Sequence, residues 1–504
     1  MDIFQGFVML AEAFKTTLTP ALVLTVAGSV LMGIIIGALP GLTATMGVSL
    51  LVSLTFGLPT SVALAMIMGV YVGAIYGGSQ SAVLMNIPGT PSAAATCLDG
   101  HPLAVKGQAG LGISTATTAS FIGTLFGVFC LMFITPFLSS IALKFGAWEF
   151  FLLAVFGIMI CGNLTADVAI KGWIVGMIGL AVSMVGQEEI YGYARFSYNN
   201  LNLMGGIALI PAMVGLFGIS EVLDALSRRD TSQVVKNITG LTPNMGFLLK
   251  KWRLVLQSGL IGVLIGVIPG VGEDVAAWVS YDAAKRTSKQ KELFGKGNLE
   301  GIIAAETANN ACISGSIIPL LSLAIPGSAV AAVVLGAIWI HGVRPGPLLF
   351  FESPDFLYEI TAIVLVASFF LLVLGLGIAR LTVRVLEVRK EILMPIVASL
   401  CIIGSFAINV KSFDILVMLC FGIFGFIIRR LGYPAAPMTL GIILGPMADS
   451  NLRRALMLSD GSIAPFFTRP ISLVLVIGIA LLALSQALAK KPPITAEVGP
   501  SVQG

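Results

Sequence analysis

Twice along this chain, once in each half, apolar sequence fit for a membrane interior is interrupted by a pair of glycine–proline breaks. The first half has Gly37-Ala-Leu-Pro40-Gly41 and later Asn86-Ile-Pro88-Gly89-Thr90. The second has Gly266-Val-Ile-Pro269-Gly270 and later Ala324-Ile-Pro326-Gly327-Ser328. Proline lacks an amide proton and clashes with the preceding turn, so each break frees backbone groups that hydrocarbon cannot satisfy. Such a break is tolerated where it is buried in protein or lines a polar cavity. Broken helices at corresponding positions of two halves point to a secondary transporter whose site lies near the bilayer midplane.

The remaining composition agrees with that setting. Of 504 residues, 57% are hydrophobic and 11% charged, too little charge to cover a soluble protein of this size. Runs such as Ala109 to Leu138 and Ile471 to Leu488 meet the length needed for a span. The expected fold is an all-α polytopic integral membrane protein with about 11–12 membrane segments; the alternation of a membrane β-barrel is absent. The start, Met1-Asp-Ile-Phe-Gln5, lacks the basic region of a cleavable signal, and residues 1–16 read as an interfacial helix. Six cysteines form no C-x-x-C pair, and only His101 and His341 could serve as imidazole ligands. No cofactor is expected, and zinc, haem and di-iron chemistry have almost no ligands. The net charge of +4 sits mostly in a few loops and does not suggest nucleic acid.

A further match, Phe156-Gly157 with Gly176 against Phe421-Gly422 with Gly441, supports a duplication. Transmembrane repeat one is read over 17–225, a basic linker over 226–253, repeat two over 254–490 and a polar tail over 491–504. Arg228, Arg229, Lys236, Lys250, Lys251 and Arg253 put the linker in the cytoplasm by the positive-inside rule. Leu254–Ala284 is basic at both ends, which fits a re-entrant hairpin that turns at Pro269-Gly270 and has both feet inside. The matching hairpin, Ala21–Leu58, is nearly free of Lys and Arg and is expected to have both feet outside. The repeats are then inverted in topology, each with a re-entrant helical hairpin and a broken transmembrane helix. Crossings at 109–136, 147–163, 168–186 and 200–220 follow the first broken helix and end beside the basic linker. Arg453 and Arg454 would fall outside, against the general trend.

Candidate site residues cluster at the breaks. Pro40, Gly41, Thr43 and Thr45 combine freed carbonyls and hydroxyls with a helix N-terminus, which attracts a carboxylate, while unwound carbonyls suit a small cation. Gly78, Ser79, Gln80, Asn86, Pro88, Gly89 and Thr90 surround the first broken helix. The second copy offers Pro269, Gly270, Gly272, Glu273 and Asp274, then Glu306, Asn309, Asn310, Ser314 and Ser316, then Pro326, Gly327 and Ser328. An ionisable group at membrane depth costs about 2.5–3.5 kcal/mol even on the lenient scale, so these acids are candidates for ion coordination or internal pairing. Glycine pairs also serve as helix contacts, and prolines as packing kinks; repetition in both halves favours function. Asp99, His101, Lys106, His341 and Arg344 read as interfacial loop groups.

These stretches resemble the large membrane subunit of the tripartite tricarboxylate transporters, the TctA family. The resemblance rests on Gly37–Gly47, Tyr76-Gly-Gly-Ser79, Asn86–Pro91 and Leu98-Asp-Gly-His-Pro102 with Lys106-Gly107. In the second half it rests on Ile268–Gly272, Ala276-Ala-Trp278, Phe294-Gly-Lys-Gly297, Glu306–Ala311 and Ala324–Ser328. It extends to about residue 490, and Ser314-Gly-Ser316 departs from the paired glycines usual there. The resemblance implies a bacterial inner-membrane permease that works with a small four-helix membrane subunit and a periplasmic solute-binding protein, within membrane lipid. It also implies uptake of a tricarboxylate-type organic anion by cation symport, usually with sodium, at an ion site near the same breaks. The chain has no G-x-x-x-x-G-K-[ST] loop and so no ATPase of its own. A stand-alone proton-coupled organic anion permease is the competing reading; a membrane enzyme lacks any nucleophile–base or metal constellation.

Overall fold

The computed structural model describes residues 3–165, 169–227, 235, 238, 240–388 and 390–488. After α1 (Ile3–Thr17) come α2 (Pro20–Ala38) and α3 (Ala44–Leu54), joined at Pro40-Gly41. Then follow α4 (Thr60–Met85), α5 (Ala94–Val105), α6 (Ala109–Ala142), α7 (Ala147–Thr165), α8 (Ala169–Ser183) and α9 (Leu209–Ser227). The second half opens with α10 (Trp252–Val267) and α11 (Gly272–Thr287), joined at Pro269-Gly270, then α12 (Leu299–Leu323) and α13 (Ala329–Ile340). It closes with α14 (Asp355–Gly377), α15 (Lys390–Asn409), α16 (Ser412–Arg430), α17 (Ala436–Leu458) and α18 (Pro470–Leu488). The described strands are one antiparallel pair, Gly186–Gln187 with Ala194–Arg195. Among the described residues seven helices are long and apolar enough to cross a membrane: α2, α4, α6, α9, α14, α15 and α16. Large apolar side chains such as Leu24, Phe129, Phe137, Ile403 and Val474 point outward around the bundle, the surface of a protein solvated by lipid.

The two long broken helices end alike. α4 stops on Asn86 and α12 on Ala324, both in the left-handed conformation at φ 57°. The chain then runs through Pro88-Gly89 or Pro326-Gly327 before helix resumes. Each of these glycines lies against the backbone of the preceding helical pair: a Cβ on Gly89 would sit 1.9 Å from the Gly37 carbonyl oxygen, and one on Gly327 would sit 1.9 Å from that of Gly266. Their amides bond back across the break, Gly89 to the Gly78 carbonyl (3.4 Å) and Gly327 to that of Ser316 (3.2 Å). The freed groups of the prolines are thus answered inside the protein.

Small residues set the close helix contacts around these breaks. α2 meets α4 through Gly33 and Gly37 against Val70 and Ala74, answered by Gly73 and Gly77 against Val30 and Ile34. α10 meets α12 through Gly262, Gly266 and Gly315, and α6 lies along α12 through Gly123 and Gly127. Without water to drive helices together, such van der Waals approach is the main source of association. α12 is the centre of the molecule, buried continuously from Glu300 to Leu323.

One local expectation shifts. The span anticipated at 200–220 is α9, beginning at Leu209, because an aromatic loop with left-handed Phe196, Tyr198 and Asn199, the short helical turn Leu201–Met204 and Gly205-Gly206 come before it. Gly176 and Gly441, read as matching copies, touch one another: a Cβ on Gly441 would lie 2.3 Å from the Gly176 carbonyl oxygen. Arg453 and Arg454 lie among acids, Arg453 reaching Asp449 (3.1 Å) and Glu188 (3.8 Å) while Arg195 reaches Asp449 (2.9 Å). Most basic linker residues between 228 and 239, and the tail 491–504, lie outside the described residues; Val235 donates its amide to the Leu84 carbonyl (3.0 Å).

Candidate functional site

Residues at or just after both Pro-Gly turns and both helix breaks line one cavity of about 260 Å³. Thr43 and Thr45 reach it from the first turn, Thr90 and Ser92 from the first break, Gly270 to Asp274 from the second turn, and Ala329 and Val330 beyond the second break. Phe217, Arg429 and Tyr433 close the far wall. The first residues of five helical segments border it: Ala44, Pro91, Gly272, Ala329 and Ala436. Each helix start carries amides without an intrahelical acceptor and a positive dipole end. Two of them are capped by side chains, Thr43 accepting from the Met46 amide (3.2 Å) and Ser328 from that of Ala331 (3.1 Å).

A second cavity, about 410 Å³, adjoins the first through Thr43, Pro91 and Arg429. Pro40, Gly41, Pro88 and Gly89 line it, together with Glu221, Asp224 and Ala225 of α9. A third space of about 680 Å³ lies on the other side of the second break, touching Ala324, Trp339, Arg195, Asp449 and Arg454. Ser183, which reads as part of an ordinary span, lines this space against Gly445.

The second turn is tied to the second break by direct contacts. The Gly270 amide donates to the Pro326 carbonyl (3.3 Å), and Gly270 (φ 71°) fits against Cys161 and Leu440 where a Cβ would clash. Pro269 packs on Gly157. Buried Tyr71 of α4 donates its hydroxyl to the Glu273 carboxylate and lies within 3.1 Å of the Ser316 and 3.0 Å of the Ser328 hydroxyl. Glu273 is 4% exposed, whereas its neighbour Asp274 opens onto the cavity. The first turn has Ala44 and Thr45 at the corresponding places, so the acidic pair belongs to one half alone.

Other predicted residues lie behind the cavity wall. Ser79 bonds its own helix at the Tyr76 carbonyl (2.6 Å), and Gln80 Nε2 bonds Tyr76 (2.9 Å) and the Gly375 carbonyl (3.0 Å). Gly78 makes room for Thr90. Asn309 Nδ2 donates to the Ser92 carbonyl (3.3 Å), and Asn310 Nδ2 donates to Asn309 Oδ1 (2.7 Å) and the Glu306 carbonyl (3.2 Å). Glu306 accepts from Thr96 and from Ser120 (2.9 Å), a fully buried carboxylate shared by three helices. Ser314 is buried with its hydroxyl unpartnered. Among the described residues no group of three or more His, Cys, Asp or Glu side chains is placed to hold a metal ion.

Sequence reasoning missed Ser92, Phe217, Tyr433 and Arg429, which sit on ordinary-looking spans and loop ends. It also took Asp99 for a loop group. Asp99 Oδ1 accepts the amides of Gly295 (2.9 Å), Gly297 (2.9 Å) and Asn298 (2.7 Å), and Oδ2 the Tyr281 hydroxyl (2.8 Å). The carboxylate clamps the end of the first broken helix to the loop following α11.

A polytopic helical bundle whose broken helices converge on a shared cavity is the framework of a membrane transporter. The chain matches the model of the tripartite tricarboxylate transporter TctA family over residues 22–440, and it belongs to that family. Its members are transporters rather than enzymes, reside in the bacterial inner membrane, and function with a small membrane subunit and a periplasmic solute-binding protein. The chain is 35% identical over 487 residues, 96% of each chain, to an Agrobacterium vitis protein described as an uncharacterized 52.8 kDa protein in the TAR-I ttuC' 3'region. A second protein of that organism, from the TAR-II ttuC' 3'region, is 37% identical over 227 residues, 45% of this chain and 93% of its own. No solved structure matches.

Proposed function

We propose that the chain is the large permease subunit of a binding-protein-dependent secondary transporter that imports an organic carboxylate by cation symport, with sodium as the ion. The observation that carries this reading is the meeting of five helix starts around one cavity that also holds Asp274. Convergent helix N-termini favour a carboxylate. The same wall holds Glu273 and Asp274, which repel an anion arriving alone; a cation that enters with it removes the repulsion and finds carboxylate, hydroxyl and carbonyl oxygens. The ion and the anion then bind better together than apart, which is the thermodynamic core of symport.

The proposal includes two inverted repeats, 17–225 and 254–490, joined by a cytoplasmic linker over 226–253. Helices α3, α5 and α13, of 11, 12 and 12 residues, support half-crossings, since about 20 residues are needed to span. The ends pair reciprocally: His341, after the second broken helix, approaches Thr55 at the foot of the first hairpin (3.4 Å). Lys106, after the first broken helix, donates to the Lys296 carbonyl beyond the second hairpin (2.6 Å). That exchange is what an inverted arrangement requires.

Glu306, buried among hydroxyls and amides, is the feature that favours the proton-coupled alternative. Uptake of the solute delivered by the partner binding protein, measured in vesicles with imposed gradients, separates the two. Sodium symport requires uptake to follow an inward sodium gradient and to survive collapse of the pH gradient. Uptake indifferent to sodium and driven by pH would replace it with the alternative.

A further inference from the structure

The charge balance of the two adjoining cavities leaves one group to be explained. Their walls hold Glu221, Asp224, Glu273 and Asp274, and Arg429 is the only cationic side chain among the described residues that line them. It is also one of the few residues shared by both cavities. Arg429 lies in the last turn of α16, and its Nη1 donates to the Glu221 carboxylate on α9. A π-helical turn, Val214–Ile219, ends two residues before Glu221. Close approach is possible because Gly422 and Gly425 of α16 meet Ile219, Leu216 and Ser220. The Arg429 side chain remains 31% exposed against 9% for Glu221, so the arginine opens to the cavities while its partner is enclosed. Its neighbour Arg430 is exposed and stacks on Phe426 instead.

Resting on the transport reading above, we infer that Arg429 is the side chain that binds a carboxylate group of the transported anion, and that Glu221 holds the guanidinium in place until the anion displaces it. A guanidinium presents five N–H donors in a planar fork that matches a carboxylate bidentately. The exchange keeps the guanidinium paired with a carboxylate both before and after loading. Helix N-termini supply partial charges at one end of the anion, and Arg429 supplies a whole charge toward the second cavity. An anion with two or more carboxylates spans both, which makes the pair a determinant of selectivity for multiply charged substrates.

The test uses the purified permease in a cysteine-free background with radiolabelled citrate, malate, tartrate and succinate as probes, in saturating sodium. Arg429→Gln weakens binding of each probe bound by the unmodified protein at least about tenfold, while Arg430→Gln leaves it unchanged. Glu221→Gln removes the competitor and tightens binding several-fold. Arg429→Cys regains binding when converted to a cationic mixed disulfide by an aminoethyl thiosulfonate, not when converted to a neutral methyl disulfide by a methyl thiosulfonate, and bound probe slows the reaction. Equal probe affinity in Arg429→Gln overturns the inference and leaves the transport reading standing. So does full restoration by the charge swap Glu221→Arg with Arg429→Glu, which would make the pair a structural tie. An unmodified protein that binds none of the four probes while the partner binding protein binds one would fail the transport reading itself.

Discussion

At the scale of single residues, a buried polar group in a membrane protein answers to one rule whether it binds a ligand or ties two helices together. Tyr71 answers it through Glu273, Ser316 and Ser328, none of them near it in sequence. Tyr71→Phe removes the donor and leaves a buried carboxylate short of a partner, so thermal unfolding in detergent should show a loss of about 1–3 kcal/mol. An unchanged melting temperature would mean that the hydroxyl cluster does not hold the second turn. Asp274 has the opposite character, an acid opening to the cavity. If it is a ligand of the coupling cation, Asp274→Asn should raise the sodium concentration for half-maximal uptake at least about tenfold; an unaltered sodium curve would assign the ion elsewhere. Thr43, Thr45, Thr90, Gly270, Gly272 and Asp274 were legible as cavity residues because a proline–glycine break advertises freed backbone. Asn309, Asn310, Ser79 and Gln80 carry the same sequence signal, yet their bonds run within their own helix, as for Ser79 and Asn310, or to neighbouring segments, as for Gln80 and Asn309. Polarity within a span does not distinguish a ligand from an interhelical tie.

At the scale of elements, the decisive units are the breaks, and glycine is required where two backbones cross. Gly89 over Gly37 and Gly327 over Gly266 leave no volume for a methyl group. Gly89→Ala or Gly327→Ala should therefore abolish uptake and lower the yield of folded protein. Gly28→Ala, on the same helix as Gly37 but with nothing within 4 Å of its added carbon, should be neutral or slightly stabilising. Normal uptake by both break variants would show that the helices can separate freely at these points. The Asp99 clamp is a second such unit. Asp99→Ala would strand three amides and a tyrosine hydroxyl, at a cost of about 3 kcal/mol or more, read as a lower melting temperature. The boundaries of α2 to α5 and α10 to α13 were legible because proline, glycine and capping residues mark them. The start of α9 was not, because Leu201–Met204 makes a short helical turn that continues the apolar pattern backwards while Gly205-Gly206 interrupts it. Arg429 and Glu221 were hidden for a related reason. They pair across 208 residues of sequence, next to a π-helical turn whose local change of period leaves no mark in an apolar run.

At the scale of the whole molecule, the membrane class and the family followed from composition and from the doubled breaks. The meeting on one cavity of the segments that follow both turns and both breaks required the fold, since they are separated by up to several hundred residues. What distinguishes the proposed architecture is that the two hairpins reach that cavity from opposite faces of the membrane. The loop after α11 is basic and holds the end of the first broken helix, whereas the loop after α3 has no Lys or Arg and lies beside His341. The most direct measurement places single cysteines at Leu58 and Lys289, both exposed, in a cysteine-free protein and labels them with a membrane-impermeant maleimide from each side. The account predicts that Leu58→Cys reacts from the periplasm alone and Lys289→Cys from the cytoplasm alone. Labelling of both from the same side would contradict the inverted arrangement and, with it, the site built from two opposed turns.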